Sequence, residues 1–185
     1  MTRIVGGRLG GRTMAVPAGR VVRPTSERVR EALASALIAR LGGMAGRTVL
    51  DLYAGSGAVG LELLSRGASA VTLVESDPSV LKVLRANVAS LGAAGATVVA
   101  KRAESFASAD PAVGDAFALV FDVVFLDPPY ALDIDPLLAA VAPYASEVLV
   151  TERATRSPDP HWPQGFMEPQ VRKYGDTCLW YGWRS

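Results

Sequence analysis

The sequence predicts an α/β protein: a mostly parallel sheet covered by helices on both faces. Three observations carry this prediction. Apolar runs of strand length alternate with segments of helical spacing between residues 48 and 151. A glycine loop stands at one strand-to-helix junction, and the chain closes on two strands joined by a tight turn. With 185 residues, half of them hydrophobic, there is material for one well-packed core and too little for two full domains.

The elements follow in order. Residues 1–24 hold the short apolar pieces Ile4-Val5, Met14-Ala15-Val16 and Val21-Val22, with Gly6, Gly7, Gly10, Gly11 and Gly19 between them. That pattern reads as an N-terminal β-hairpin arm, distinct from a main domain over residues 25–185. Such an arm is expected to bury little and to add little to the core. Thr25 or Ser26 can cap a helix in which Val29, Leu33, Ala36, Leu37, Arg40 and Leu41 keep helical spacing, and Gly42-Gly43 ends it. Thr48–Leu52 is a strand, Ala58–Arg66 a helix and Ala70–Glu75 a strand. Asp77-Pro78 opens the next helix as cap and first-turn proline, and Gly92 closes it. Thr97–Ala100 and Phe121–Leu126 are strands, the second apolar enough for a sheet centre. A helix near Ile134–Val141 and a strand at Glu147–Thr151 come next. Residues 152–170 carry four prolines without a clear period and read as loop. Val171–Tyr174 and Thr177–Trp183 form the closing hairpin around Gly175-Asp176.

Charge is nearly balanced overall, with 19 basic and 18 acidic residues, but it is unevenly placed. Residues 1–30 hold seven arginines against Glu27 alone, a net +6. The remaining twelve basic residues face seventeen acids, a net −5. A basic arm on a mildly acidic body suits a polyanionic partner. Arg3, Arg8, Arg12 and Arg20 are the candidate phosphate-binding residues. Cys178 and His161 stand alone in their types, so neither an internal disulfide nor a Cys/His zinc cluster can form, and no metal is expected. No apolar run approaches the roughly 20 residues of a bilayer span. The N-terminus lacks a signal-peptide pattern, so a cytoplasmic protein is expected.

The segment VLDLYAGSGAVGLELL (Val49–Leu64) sets glycines between a strand and a helix, where backbone N–H groups can approach a polar ligand. Gly55, Gly57 and Gly60 satisfy the dinucleotide spacing. Glu75 ends the next strand 20 residues after Gly55, placed to bind ribose hydroxyls. A nicotinamide dinucleotide fits this pattern. Asp51 at the strand end favours S-adenosylmethionine instead, because a carboxylate suits a ligand ammonium and sits badly beside a pyrophosphate. The adenine edge should meet the backbone near Ala103, after the third strand of the alternating region.

Asp127-Pro128-Pro129-Tyr130 directly follows the FDVVFL strand. Two prolines fix the backbone and remove two donors, leaving a carbonyl free to accept. Asp127 offers a second acceptor and Tyr130 a ring for stacking. Two acceptors can grip the N–H bonds of a nucleobase amine and aim its lone pair at a sulfonium methyl. Asp127 would also stabilise the positive charge that develops on nitrogen. Tyr130 would stack on a base swung out of its surroundings. Asp127, Pro128 and Tyr130 are therefore the candidate catalytic set.

DLYAGSGAVGLE with Glu75 and DPPY resembles the Rossmann-like class I methyltransferases that act on amino groups. RIVGGRLGGRTMAVP, RPTSERVREAL and KYGDTCLWYGWR resemble, more narrowly, the RsmD-like bacterial family, and the resemblance covers essentially the whole chain. It implies a seven-stranded sheet with the last strand antiparallel, and methylation of a guanine N2 amine in small-subunit ribosomal RNA. The substrate it implies is a partly assembled small-subunit particle; the protein itself is expected to be a monomer. Asp51, Gly55, Gly57, Glu75 and Ala103 carry over to cofactor binding, and Asp127, Pro128 and Tyr130 to the active site. Thr25 and Arg28 match the motif bordering the cofactor's methionine end. Related enzymes with similar motifs methylate DNA bases or protein glutamine, but DNA enzymes of this kind usually add a recognition domain for which this chain has no room. A DNA amino-methyltransferase and a non-catalytic RNA-binding module are the alternatives; intact Asp51, Gly55, Gly57 and DPPY argue against the second.

Overall fold

The computed structural model describes residues 1–17, 26–108 and 120–185. Two short strands, β1 (Thr2–Arg3) and β2 (Thr13–Met14), pair antiparallel. They are followed by α1 (Glu27–Leu41), β3 (Thr48–Leu52), α2 (Ala58–Ser65), β4 (Ala70–Glu75), α3 (Pro78–Leu91) and β5 (Ala96–Ala100). The second half runs α4 (Ala103–Ala107), β6 (Phe121–Leu126), α5 (Asp135–Val141), β7 (Ala145–Ala154), β8 (Gln170–Tyr174) and β9 (Thr177–Trp183).

Seven strands form one sheet in the order β5-β4-β3-β6-β7-β9-β8. Strands β3 to β7 pair in parallel, and β9 runs antiparallel to both of its neighbours. The chain winds outward from β3 to β5, then crosses back and places β6 against β3. The strand order reverses there, and such a reversal opens a crevice at the carboxyl ends of the strands.

Period-two alternation divides the central strands between two cores. Val49, Val123 and Phe125 pack with α1, α2 and α3 on one face. Leu50, Leu52, Val124 and Leu126 pack with α4 and α5 on the other. The caps agree with the sequence reading. The Ser26 hydroxyl accepts from Val29 N at 3.2 Å, and Asp77 caps α3 ahead of Pro78. Gly42 and Gly92 close α1 and α3 in the left-handed region.

Two elements depart from expectation. Helix α4 spans five residues, too few to show a period. Strand β7 continues past Thr151 through Glu152, Arg153 and Ala154, all buried, so the loop begins later than residue 152. Two charged residues inside the strand interrupt its apolar pattern.

The arm is corrected more substantially. Far from burying little, it places Ile4, Leu9 and Met14 in the core beneath α1–α3. The body supplies the hydrogen bonds that so short a hairpin lacks. Glu62 of α2 accepts from Val5 N at 2.7 Å and Gly6 N at 2.9 Å. Ser65 Oγ accepts from Leu9 N at 2.9 Å, and the buried Arg30 of α1 donates to the Arg3 carbonyl at 2.6 Å. Gly7 has φ 78°, and a Cβ there would lie 2.0 Å from the Ser65 carbonyl oxygen, so no other residue allows this approach. The expected pieces at Gly19 and Val21-Val22 lie outside the described residues.

Among the described residues, no helix is long and apolar enough to cross a membrane, and no group of three or more potential metal ligands converges.

Candidate active site

Asp51 and Asp127 end adjacent central strands. Register pairs Asp51 with Phe125 and Leu52 with Leu126, and Asp127 N donates to the Leu52 carbonyl at 3.5 Å. Both carboxyls line a cavity of about 820 Å³, a size that suits a small-molecule ligand. The glycine loop forms one wall, Glu75 and Asp77 another, Ala103 and Glu104 a third, and Pro128 to Leu132 the rim. Of the residues singled out by sequence, Asp51, Gly55, Glu75, Ala103, Asp127, Pro128 and Tyr130 therefore share one cleft.

Gly57 supports this wall from behind. Its φ is 83°, and a Cβ there would meet Leu84 Cδ1 at 2.6 Å, so it turns the loop into α2 and lets α3 pack closely. Glu75 Oε2 accepts from Gly55 N at 3.1 Å, and Oε1 accepts from Ser76 N at 2.7 Å and Asp77 N at 2.8 Å. The carboxylate thus braces the loop as well as facing the cleft.

Asp51 is buried, and its Oδ2 accepts from Gly60 N at 2.9 Å. Burial pushes its carboxyl up to about 7, with Glu75 adding repulsion and the Gly60 bond opposing. Such a group gains from a cationic ligand. Burial likewise holds the Asp127 carboxyl well above the usual carboxylate range, reinforced by Glu152 and Asp51 and opposed by Arg153. The donor set fits S-adenosylmethionine: a buried acid for an ammonium, a glycine loop lining the cleft, an acid at ribose distance in sequence and an apolar pocket beyond it. No cluster of cationic side chains among the described lining residues prepares the cleft for a pyrophosphate; Arg102 is its one cation.

Several participants were not evident from sequence. Arg153 of β7 donates through Nη2 to the carbonyls of Tyr130 at 3.0 Å and Leu132 at 3.1 Å, and Nη1 lies 3.4 Å from the Pro129 carbonyl. It fixes the DPPY segment from below. Tyr53, at φ 64°, donates its hydroxyl to Glu104 Oε1 at 2.8 Å and links two walls of the cleft. Val16 and Pro17 of the arm also line the cavity. Asn87 could have been noticed, since it continues the buried stripe Val80, Leu84, Leu91 at helical spacing.

The remaining candidates lie elsewhere. Arg28 is exposed on the first turn of α1, away from the described cavity lining, and Thr25 and Arg20 lie outside the described residues. Arg3 pairs with Glu27 at 3.1 Å. Arg12 donates to the carbonyls of Leu91 at 2.8 Å and Ser90 at 2.5 Å, closing the end of α3. Arg8 is exposed beside the end of α2.

Sheet order, antiparallel last strand and cleft together define a Rossmann-like class I methyltransferase fold. At the level of fold alone, the magnesium protoporphyrin IX methyltransferase of Synechocystis PCC 6803, solved with bound SAM, agrees at TM-score 0.63 and 16% identity, covering 85% of this chain and 79% of that one. A family model described as conserved hypothetical protein 95 matches residues 2–183, and the chain belongs to that family, the RsmD-like family that its sequence resembles. The ribosomal RNA small subunit methyltransferase D of Escherichia coli is 41% identical over 128 residues, 69% of this chain and 60% of that protein. Its Haemophilus influenzae namesake is 34% identical over 134 residues, 71% and 65% of the two chains. The chain thus spans less than two thirds of the length of these curated relatives. The solved E. coli protein yhhF superposes at TM-score 0.83 with 32% identity, covering 99% of this chain and 97% of its own.

Proposed function

We propose that this protein transfers a methyl group from S-adenosylmethionine to the exocyclic N2 amine of a guanine in small-subunit ribosomal RNA, on an assembling particle in the cytoplasm. The observation that carries the reading is the pairing of Asp51 and Asp127 at the ends of adjacent central strands, in one cleft with the glycine loop. The names of the curated relatives support the substrate class.

Bound S-adenosylmethionine supplies an electrophilic methyl on sulfur. Asp51 holds the ammonium of its tail, Glu75 the ribose hydroxyls, and the backbone at Ala103 meets the adenine. Asp127 and the proline-fixed carbonyl beside it accept the two N–H bonds of the target amine. Their grip orients the nitrogen lone pair, and the Asp127 carboxylate offsets the charge that builds on nitrogen. Tyr130 stacks on the base. Arg153 keeps the carbonyls of this segment facing inward and opposes protonation of Asp127.

Incubation of the protein with radiolabelled S-adenosylmethionine and small-subunit particles from a strain lacking the gene tests the reading. One N2-methylguanine, absent from that strain's RNA and restored by the protein, is the expected result. Label in DNA or protein instead, or none in RNA, overturns it.

A further inference from the structure

A second, smaller groove of about 220 Å³ lies on the α1 face of the sheet, formed by α1, β8 and β9. It shares no lining residue with the catalytic cleft, and strand β7 lies between them: Tyr181 pairs with Val150, which pairs on its other side with the cleft residue Phe125. Helix α1 enters the groove through Arg40 in its last turn, and β8 through Gln170 and Arg172.

The chemistry of the groove is one-sided. Arg40 lies over the Trp183 ring at 5.3 Å and Arg172 over the Tyr181 ring at 5.8 Å, and the two rings are nearly parallel. Stacking holds both exposed guanidiniums in place while leaving their N–H edges free to donate. Neither has an acidic partner among the described residues, unlike Arg3, Arg47 and Arg66, which are ion-paired, and Arg12 and Arg184, which bond carbonyls. The phenol O–H of Tyr181 and the indole N–H of Trp183 are buried and have no acceptor among the described residues. Among the described residues, no carboxylate lines the groove. Unsatisfied buried donors are uncommon in native proteins, and two of them occur on residues forming this groove.

We propose that this groove binds the phosphodiester backbone of the RNA substrate, at a second point of attachment outside the catalytic cleft. The exposed guanidiniums of Arg40 and Arg172 suit phosphate oxygens, and each planar group can pair with a phosphate through two N–H bonds at once. The arm's arginines leave room for such a site, because Arg12 is committed to α3 and Arg3 to Glu27. The inference rests on the proposed RNA substrate.

The test uses the full chain with Arg40→Ala/Arg172→Ala and Arg40→Glu/Arg172→Glu, and a small-subunit RNA fragment titrated across salt concentrations. Both guanidiniums are on the surface, so melting temperature and S-adenosylmethionine affinity should stay at wild-type values. RNA affinity should fall, more for the glutamate pair, and the log–log salt slope should drop by about 0.7–0.9 for each phosphate that is no longer neutralised. Methylation of the particle should show a raised KM with kcat retained. Wild-type RNA affinity and salt slope in the glutamate pair would overturn the groove. Methyl transfer by the wild-type protein to small-subunit RNA tests the parent reading separately, and its failure leaves no RNA substrate for either site.

Discussion

The side-chain amide of Asn87 holds the carbonyl of Ser56 at 2.9 Å, joining helix α3 to the glycine loop. The same nitrogen donates to the Ala15 carbonyl at 3.0 Å, and Asn87 Oδ1 accepts from Ala15 N at 2.9 Å. One buried amide thus fastens the arm and the loop to a common point, next to Val16 and Pro17 in the cavity wall. Asn87→Ala leaves these backbone groups without partners and should cost about 1–3 kcal/mol of stability. It should also weaken S-adenosylmethionine binding by about tenfold, equivalent to ~1.4 kcal/mol. Thermal melting and calorimetry measure the two effects; unaltered cofactor affinity would show that the bracket has no influence on the cleft.

Removal of residues 1–14 should lower the melting temperature and impair cofactor binding. The loss includes Ile4, Leu9 and Met14 from the core. Met14→Ala alone should cost about 2–5 kcal/mol, the range for truncating a buried large aliphatic side chain. A truncated protein that melts and binds cofactor as the full chain does would show the arm to be dispensable for the fold.

Cofactor binding should depend on pH through Asp51. Its carboxyl, pushed up to about 7, is largely protonated in the free protein below that value. A bound ammonium favours the carboxylate, so binding releases a proton in acid. Affinity should rise with pH and flatten above about pH 7, with a slope below it of at most about tenfold per pH unit. Asp51→Asn should bind more weakly and lose this dependence. Calorimetry in buffers of different ionisation enthalpy detects the proton, and its absence at pH 6 would refute the assignment.

Asp127→Ala should reduce kcat by about 10²–10⁴ while leaving cofactor affinity nearly unchanged, because the group acts on the substrate amine in the transition state. In the wild-type protein the acidic limb of the rate profile should lie well above the usual carboxylate range, activity rising as Asp127 ionises. Wild-type turnover in the alanine variant would place the chemistry elsewhere.

Arg153→Gln should move that acidic limb further upward. The guanidinium favours the ionised form of Asp127, so its removal makes ionisation harder. Loosening of the Tyr130 and Leu132 carbonyls should lower kcat as well. A rate profile identical to wild type would limit Arg153 to a packing role.

What the sequence disclosed was written locally. The glycine loop, Glu75 at a strand end and DPPY each lie within one short segment, and alternation fixed the strands that carry them to one end of the sheet. The closing hairpin gave the antiparallel strand for the same reason. Arg153 and Asn87 act on partners far away in the chain, at Tyr130 and Ala15, so neither has a local signature that names its target. The arm misled because its burial comes from the body: its glycines permit close approach to α2, where turns alone were expected. Charge counting pointed to a polyanionic partner but had no means of showing that Arg12 and Arg30 direct donors to backbone carbonyls.

Glu62 accepts hydrogen bonds from Val5 and Gly6 across more than fifty residues of intervening chain. During translation, the first residues therefore emerge well before the helix that receives them. Until α2 and α3 have followed, Ile4, Leu9 and Met14 lack the part of their apolar surroundings that those helices supply, and Val5 and Gly6 lack the Glu62 carboxylate. Their docking belongs to the late, non-local part of assembly, where loop-closure entropy is largest. The beginning of the chain is thus among the last parts to be secured, and a nascent polypeptide halted before residue 91 should leave its opening segment open to proteolysis.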